Sequence, residues 1–255
     1  AEASLSVSAQ SAVLIDAASG RVLFEKDAHR RLGMASTTKI MTALVVAESC
    51  DLSHTVRIPK AAVGVEGSSV YLVEGEELTV EQLLYALLLS SANDAAVALA
   101  LTVADSVEEF ANRMNRCARE LGLQDTHFVN PNGLPDDNHY TTVYDLYLIF
   151  KEVAKHNEFF NIAGRSSSRI EYLGSKGEQK IYDMASTNQY IAGTYTLPSQ
   201  VYMIGGKTGT TTQAGSCLIL LTKNKDGEEF ISVVLKGVTK SALYHTMTDI
   251  LSKEN

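Results

Sequence analysis

The sequence predicts an α+β protein in which one antiparallel sheet is built from both ends of the chain and flanked by helices. Two short apolar runs, Ala12–Asp16 and Val22–Lys26, flank Ala-Ala-Ser-Gly, which predicts a β-hairpin near the amino terminus. A second hairpin is predicted where Ser216–Thr222 and Glu229–Lys236 flank Asn-Lys-Asp-Gly. Helical patterns fill the middle of the chain, so we expect a helical insertion with a cleft beside the sheet.

The helices are predicted from apolar periodicity and from end signals. Ser36–Ser49 is apolar on more than one face, which predicts a central helix that is buried on most sides. Thr79 and Gln82 form a capping box that opens a helix running through Leu89. Further helices are predicted over Asp94–Ala104, Val107–Leu121, Thr142–Lys155 and Ser241–Lys253. Arg165–Ser199 is polar and shows no pattern that predicts an element.

The composition excludes several classes of function. An apolar fraction of 45% and a charged fraction of 20% are typical of an ordinary folded protein. The net charge of −8 argues against nucleic-acid binding, because phosphate recognition needs clustered Lys and Arg. The longest apolar runs, such as Leu83–Leu89, are far shorter than the roughly 20 residues that cross a bilayer. Scattered spacing of the three cysteines indicates neither a metal site nor a disulfide framework, so we expect Cys50, Cys117 and Cys217 to be free, mostly buried thiols.

Ser36-Thr37-Thr38-Lys39 places a hydroxyl and an amine one helical turn apart on the same helix face. A serine needs a neighbouring group to take its proton, and a lysine desolvated in an apolar helix has a lowered pKa and can do so. Taken alone, the same pattern is more simply a helix cap followed by a solvated lysine. The motif therefore predicts a nucleophile and base only in combination with others.

Two further motifs supply polar groups at element ends. Ser91-Ala92-Asn93 lies where two helices join, and by itself it is adequately explained as a helix stop and an N-cap. Lys207-Thr208-Gly209-Thr210 follows two glycines and precedes an apolar strand, so it predicts a cationic, hydroxyl-rich edge that could bind a carboxylate. Gly209 would allow close approach of a substrate backbone, whereas the simpler interpretation is a glycine-rich turn.

In this order, SxxK, SxN and KTG resemble the signature of penicillin-binding proteins and β-lactamases. This resemblance covers nearly the whole chain, and it implies a β-lactamase/transpeptidase-like fold. Five segments look like those of the low-molecular-weight D-alanyl-D-alanine carboxypeptidases: Val13–Phe24, Ala35–Ala43, Gly75–Ala100, Asn115–Leu134 and Gly205–Leu218.

The resemblance implies a serine-type D-Ala-D-Ala carboxypeptidase that trims peptidoglycan stem peptides and is acylated by β-lactam antibiotics. Ser36 would be the acylated nucleophile and Lys39 its proton acceptor. Ser91 would relay a proton to the leaving group, and Asn93 would hold Lys39 and the substrate amide. No metal or organic cofactor is implied.

The resemblance also assigns the substrate-binding edge. Lys207 and Thr208 would bind the terminal carboxylate, with Gly209 between them and Thr210. The backbone N–H groups of Ser36 and Thr210 would form the oxyanion hole.

The resemblance implies a single catalytic domain over residues 1–255, with a sheet subdomain over about 1–50 and 200–255 and a mostly helical subdomain over about 51–199. Many relatives continue into a C-terminal β-domain and a membrane anchor, which we do not find in these residues. Because peptidoglycan lies outside the cytoplasmic membrane, we expect export and removal of a signal peptide before Ala1. Membrane association would require a region outside this sequence.

Two other functions share the motifs. A class A β-lactamase adds a loop Glu followed four residues later by Asn, and Glu108 and Asn112 have this spacing. Both fall within the amphipathic pattern of a predicted helix, so we interpret them as exposed helix residues. A penicillin-binding sensor domain would be acylated without turnover, and intact motifs do not exclude it. A structural protein that kept the fold and lost the chemistry fits poorly with three complete motifs.

Overall fold

The computed structural model describes Leu5 and residues 7–255, and these residues form an α+β structure with two antiparallel sheets. The strands are β1 (Ala9–Asp16), β2 (Val22–Lys26), β3 (Thr55–Arg57), β4 (Glu77–Thr79), β5 (Ser167–Leu173), β6 (Gln179–Ala185), β7 (Tyr202–Thr211), β8 (Gly215–Lys223) and β9 (Glu229–Gly237). The helices are α1 (Thr38–Ser49), α2 (Val80–Leu89), α3 (Asn93–Val103), α4 (Val107–Glu120), α5 (Val143–Val153), α6 (Asn157–Ala163) and α7 (Lys240–Leu251).

The larger sheet has the order β2-β1-β9-β8-β7, so strands from the two ends of the chain meet at its centre. β1 pairs with β9, with Val13 opposite Val233. Both predicted hairpins, β1–β2 and β8–β9, are confirmed. β7 has β8 as a neighbour on one side and lies at the edge of the sheet, which leaves its other side open toward the helices.

Helices cover both faces of this sheet, which explains why its central strands are apolar without alternation. Leu218 and Leu220 of β8 belong to the apolar cluster under α7, whereas Cys217, Ile219 and Leu221 belong to the cluster shared with α1 and α5. Successive side chains of a strand point to opposite faces, so both sets are buried. Each such Leu or Ile contributes roughly 1.5–3 kcal/mol of transfer free energy when it is fully buried.

Helix α1 crosses the middle of the molecule, and every residue from Thr38 to Val46 is buried. The predicted central helix is therefore confirmed, but it begins two residues later than the sequence indicated. Ala35–Thr37 forms a separate 3-10 turn, in which Ala35 has a φ of 48°. The hydroxyl of Thr37 donates to the carbonyl of Met34, and this bond closes the turn. Ser36 thus lies on a strained turn just before the helix.

The smaller sheet has the order β3-β4-β5-β6 and was not predicted. Its two longer strands, β5 and β6, lie within the polar region Arg165–Ser199, and helix α6 directly precedes them. Residues 51–199 therefore contain a sheet as well as the predicted helices. Among the described residues, none of the helices combines the length and the apolar composition that a membrane span requires.

Candidate active site

The amine of Lys39 lies directly against the hydroxyl of Ser36. Lys39 Nζ is 2.8 Å from Ser36 Oγ and donates to the carbonyl of Asn132 at 2.7 Å. Lys39 is entirely buried, while Ser36 is partly open to solvent. Burial lowers the pKa of Lys39 well below its usual value, and the nearby charge of Lys207 lowers it further. A neutral amine at this distance can accept the proton of Ser36.

A second lysine–serine pair lies on the opposite wall of the site. Lys207 Nζ donates to Ser91 Oγ at 3.0 Å and to the carbonyl of Thr208 at 2.8 Å. Ser91 connects α2 to α3 with a φ of 53°, and this left-handed conformation turns the chain between the two helices. Burial lowers the pKa of Lys207 to about 7, so its ammonium group titrates near neutrality.

Asn93 is the first residue of α3, two residues after Ser91, and it is buried. Its Nδ2 donates to the carbonyl of Glu66 at 2.7 Å, while its Oδ1 is buried and accepts no hydrogen bond from the described residues. No hydrogen bond joins Asn93 to Lys39 among the described residues; the amine of Lys39 bonds to Ser36 Oγ and to the carbonyl of Asn132 instead. Asn93 Oδ1 is therefore a buried acceptor whose hydrogen-bonding capacity is unused among the described residues.

Strand β7 brings the third motif against the nucleophile. A Cβ on Gly209 would lie 2.5 Å from the backbone nitrogen of Ser36, so only glycine permits this approach. Thr208 is partly buried and its hydroxyl lies 2.7 Å from that of Thr187, whereas Thr210 is exposed. The backbone of β7 can therefore lie beside the Ser36 peptide and leave its open edge for a ligand.

The segment from His127 to Tyr140, which we call the 127–140 loop, holds the other side of the nucleophile. Gly133 has a φ of 99°, and a Cβ there would collide with the carbonyl of Ala35. Thr42 on α1 donates to the carbonyl of Pro131 at 2.6 Å. The peptide before Ser36 is therefore confined between this loop and β7.

A buried histidine fixes the 127–140 loop to α1. The backbone N–H of Val129 donates to His139 Nδ1 at 3.0 Å, so the neutral ring has its proton on Nε2, which lies 2.8 Å from Thr38 Oγ1. Burial lowers the pKa of His139 to about 4, which keeps the ring neutral over the usual pH range.

The structure brings together Ser36, Lys39, Ser91, Asn93, Lys207, Thr208 and Gly209, with Thr210 at the open end of the strand. Sequence reasoning missed Asn132, Gly133 and His139. For Asn132 and Gly133 the sequence offers only Asn-Pro-Asn-Gly, a pattern that indicates a turn and no chemistry. The interpretation of Glu108 and Asn112 is confirmed, since both are exposed on α4. Cys50, Cys117 and Cys217 are free thiols as expected, but only Cys217 is buried, and the other two are partly exposed.

Comparison with known proteins identifies the family. Residues 1–239 match peptidase family S11, D-alanyl-D-alanine carboxypeptidase. The chain is 36% identical to D-alanyl-D-alanine carboxypeptidase DacF of Bacillus subtilis, over 95% of this chain and 61% of the relative. It is 31% identical to a D-alanyl-D-alanine carboxypeptidase of Streptomyces strain K15, over 91% of this chain and 82% of the relative.

The fold agrees with this assignment. The crystal structure of the Streptomyces K15 DD-transpeptidase superposes with a TM-score of 0.90 at 30% identity, covering 98% of this chain and 97% of that one. This confirms the predicted β-lactamase/transpeptidase-like fold and the resemblance to low-molecular-weight penicillin-binding proteins. The chain spans about three fifths of the length of the Bacillus relative. With its fold, its three motifs and most of its length in agreement, the chain belongs to the D-alanyl-D-alanine carboxypeptidase family of serine peptidases.

Proposed function

We propose that this chain is a serine-type D-Ala-D-Ala carboxypeptidase that removes the terminal D-alanine of peptidoglycan stem peptides through an acyl-enzyme on Ser36. The observation that supports this most directly is the 2.8 Å contact between Ser36 Oγ and the fully buried amine of Lys39. A buried amine with a lowered pKa provides the base that a serine nucleophile needs. The names of the relatives favour the D-Ala-D-Ala substrate.

In the proposed acylation, Lys207 and Thr208 bind the terminal carboxylate of the substrate. Ser36 Oγ attacks the carbonyl carbon of the penultimate residue while Lys39 takes the hydroxyl proton. The N–H groups of Ser36 and Thr210 stabilise the oxyanion. The carbon–nitrogen bond then breaks, and the proton reaches the leaving amine of D-alanine through the Ser91 hydroxyl. Asn93 Oδ1, which is buried without a partner among the described residues, accepts an N–H of the bound peptide.

Deacylation follows when free D-alanine leaves and water enters beside Lys39 and Ser91. With penicillin, the leaving amine remains attached as the opened thiazolidine ring and obstructs that water. Glu108, whose spacing to Asn112 matches that of class A β-lactamases, is exposed on helix α4, and the 127–140 loop beside the nucleophile contains no Glu. We therefore favour slow release of penicillin over β-lactamase activity.

The partners proposed with this function are peptidoglycan stem peptides ending in D-Ala-D-Ala and β-lactam antibiotics. Peptidoglycan is built outside the cytoplasmic membrane, so the proposal includes an extracytoplasmic location. We also propose that residues 1–255 act as one catalytic domain, because β1 and β9 from the two ends of this sequence share a sheet.

The test follows D-alanine release from diacetyl-Lys-D-Ala-D-Ala and the intact mass of the protein after a stoichiometric dose of penicillin. Release of D-alanine and a penicillin adduct on Ser36, both absent in Ser36→Ala, support the proposal. Ser53→Ala, a change of an exposed serine outside the site, is the matched control and should behave as wild type. Acylation without peptide turnover would favour a sensor domain. Faster transfer to an added amino-acid acceptor than hydrolysis would identify a transpeptidase.

A further inference from the structure

Directly after Asn93, a buried carboxylate at the start of α3 takes no part in the chemistry proposed above. Asp94 is buried, and no cation among the described residues forms a salt bridge with it. Its two oxygens accept four hydrogen bonds, at 2.8–3.2 Å. A buried charge is costly unless it is hydrogen-bonded, so these donors, and no counter-ion, stabilise Asp94.

Three of the four donors lie in residues 66–72, which we call the 66–72 loop. One oxygen of the carboxylate accepts from the hydroxyl of Ser69 at 2.8 Å and from the N–H of Leu72 at 2.9 Å. The other oxygen accepts from the N–H of Val70 at 3.2 Å. Between these two backbone donors, Tyr71 has a φ of 58°, a left-handed conformation that is strained for a tyrosine. Such strain persists only where the surroundings impose it, and here the carboxylate bonds to both neighbours of Tyr71.

The same loop holds the amide of Asn93. Asn93 Nδ2 donates to the carbonyl of Glu66 at 2.7 Å, and its backbone N–H donates to the carbonyl of Ser68 at 2.7 Å. Gly67 lies so close that a Cβ on it would be 2.5 Å from Asn93 Nδ2. The nitrogen of the amide is therefore fixed toward the loop, and Oδ1 is left without a partner in the described part of the chain.

We infer that Asp94 is a positioning residue for acylation: it holds the 66–72 loop against the start of α3, and the loop in turn sets the orientation of the Asn93 amide. This inference rests on the proposed function, in which Asn93 Oδ1 accepts an N–H of the bound peptide. Because Asp94 acts through Asn93, its loss should cost about as much as that one hydrogen bond, about three- to tenfold in kcat/KM. Two changes that act on one hydrogen bond should not add.

The test is a double-variant cycle on Asp94→Asn and Asn93→Ala. Asp94→Asn keeps the shape of the side chain, but each oxygen of Asp94 accepts a backbone N–H of the loop, so the amide NH₂ of the variant meets an N–H in either orientation. The measured quantity is kcat/KM for D-alanine release from diacetyl-Lys-D-Ala-D-Ala. Each single change should lower it about three- to tenfold, and Asp94→Asn should change it less than about twofold once Asn93 is alanine.

A purely structural role would give a different pattern. Asp94→Asn would then lower kcat/KM by the same factor with and without Asn93, and this result, or an unchanged kcat/KM in the single variant, would overturn the inference. Asp16→Asn is the matched control, because Asp16 is a buried carboxylate that accepts the N–H groups of Ala18 and Ser19 in the turn between β1 and β2. It should leave kcat/KM unchanged in both backgrounds.

A second variant tests the link from the loop side and applies even where Asp94→Asn does not fold. Gly67→Ala places a Cβ against Asn93 Nδ2, so it should slow the wild-type enzyme and have little effect in Asn93→Ala, which lacks that nitrogen. Equal slowing by Gly67→Ala in both backgrounds would contradict control of the Asn93 amide by the loop.

Penicillin acylation of Ser36 separates this inference from the function on which it rests. Benzylpenicillin has an amide N–H beside its reactive carbonyl, and its acylation rate requires no release of D-alanine. Coupled losses of acylation rate in the cycle, without D-alanine release by wild type, would refute the carboxypeptidase and retain the role of Asp94. D-alanine release by wild type, with independent losses in both measurements, would refute the role of Asp94 alone.

Discussion

Lys207→Met should stabilise the protein while it lowers the turnover of carboxylate-bearing peptides. Lys207 is almost fully buried, and burial lowers its pKa from 10.5 to about 7. At about 1.4 kcal/mol per pKa unit, keeping the ammonium charged in the folded state costs on the order of 5 kcal/mol below pH 7. Methionine fills a similar volume without charge, so this penalty disappears.

Part of this gain is offset at Ser91. The hydroxyl of Ser91 accepts the Lys207 hydrogen bond at 3.0 Å, and its loss leaves a buried group with one partner fewer. Such a loss costs about 1–3 kcal/mol. We expect the free energy of unfolding of Lys207→Met to exceed that of wild type by about 2–4 kcal/mol at pH 6.

The pH dependence of the stability difference between the variant and wild type tests whether the buried charge of Lys207 is its cause. Between about pH 7 and 10.5, folded Lys207 is neutral and unfolded Lys207 is charged, so the unfolded state binds more protons and wild-type stability rises with pH. The variant lacks this rise. Its advantage should therefore decrease by about 1.4 kcal/mol per pH unit above pH 7 and nearly vanish by pH 9.

The assay is urea unfolding at pH 6 and pH 9, run beside D-alanine release. Turnover should fall by about ten- to a hundredfold, the cost of one charge-assisted hydrogen bond to the substrate carboxylate. Lys176→Met, a change at an exposed lysine on the turn between β5 and β6, is the control and should show no such pH-dependent gain. A variant less stable than wild type at pH 6, or an advantage that is equal at both pH values, would refute the reasoning.

Three further outcomes are expected. Gly209→Ala places a Cβ 2.5 Å from Ser36 N and should displace an oxyanion donor, slowing penicillin acylation by about 10²–10³-fold in stopped-flow measurements; an unchanged rate would contradict the assignment. Because burial lowers the pKa of His139 to about 4, the free energy of unfolding of wild type should fall by about 3 kcal/mol between pH 6.5 and pH 4. In urea unfolding, His139→Gln should lose less stability over this pH range. An equal loss in the variant and in wild type would contradict the role of His139. The penicilloyl adduct on Ser36 should outlast one peptide turnover by far in a time course of intact mass, whereas loss at the rate of peptide turnover would indicate a β-lactamase.

The sequence predicted the larger sheet but not the smaller one, and the reason lies in burial. β8 and β9 are covered on both faces, so their sequences are nearly continuous apolar runs that predict strands. β5 and β6 bury one face at most, so only alternate residues such as Ile170, Tyr172 and Met184 are buried within a polar segment. Their period of two was present in the sequence, but the average polarity of Arg165–Ser199 concealed it.

The site was predicted only where it depends on side-chain type. The sequence predicts the roles of Ser36, Lys39 and Lys207, because their hydroxyl and amine groups occur in three motifs whose order together is typical of this chemistry. Asn132 binds Lys39 through its backbone carbonyl, which every residue possesses, so no residue type signals it. In the sequence, Gly133 indicates only a turn, and only the three-dimensional arrangement shows that it lies against the Ala35–Ser36 peptide.

The pairing of β1 with β9 has a consequence for the order of folding. These strands lie more than two hundred residues apart in the chain, so the sheet cannot close until nearly all of the protein has been synthesised. Long-range pairing of this kind slows folding far more than it lowers stability, because loop-closure entropy grows only slowly with length. A chain that ended before β9 would contain every candidate catalytic residue and lack the strand that joins β1 to β8, so its cleft would not assemble.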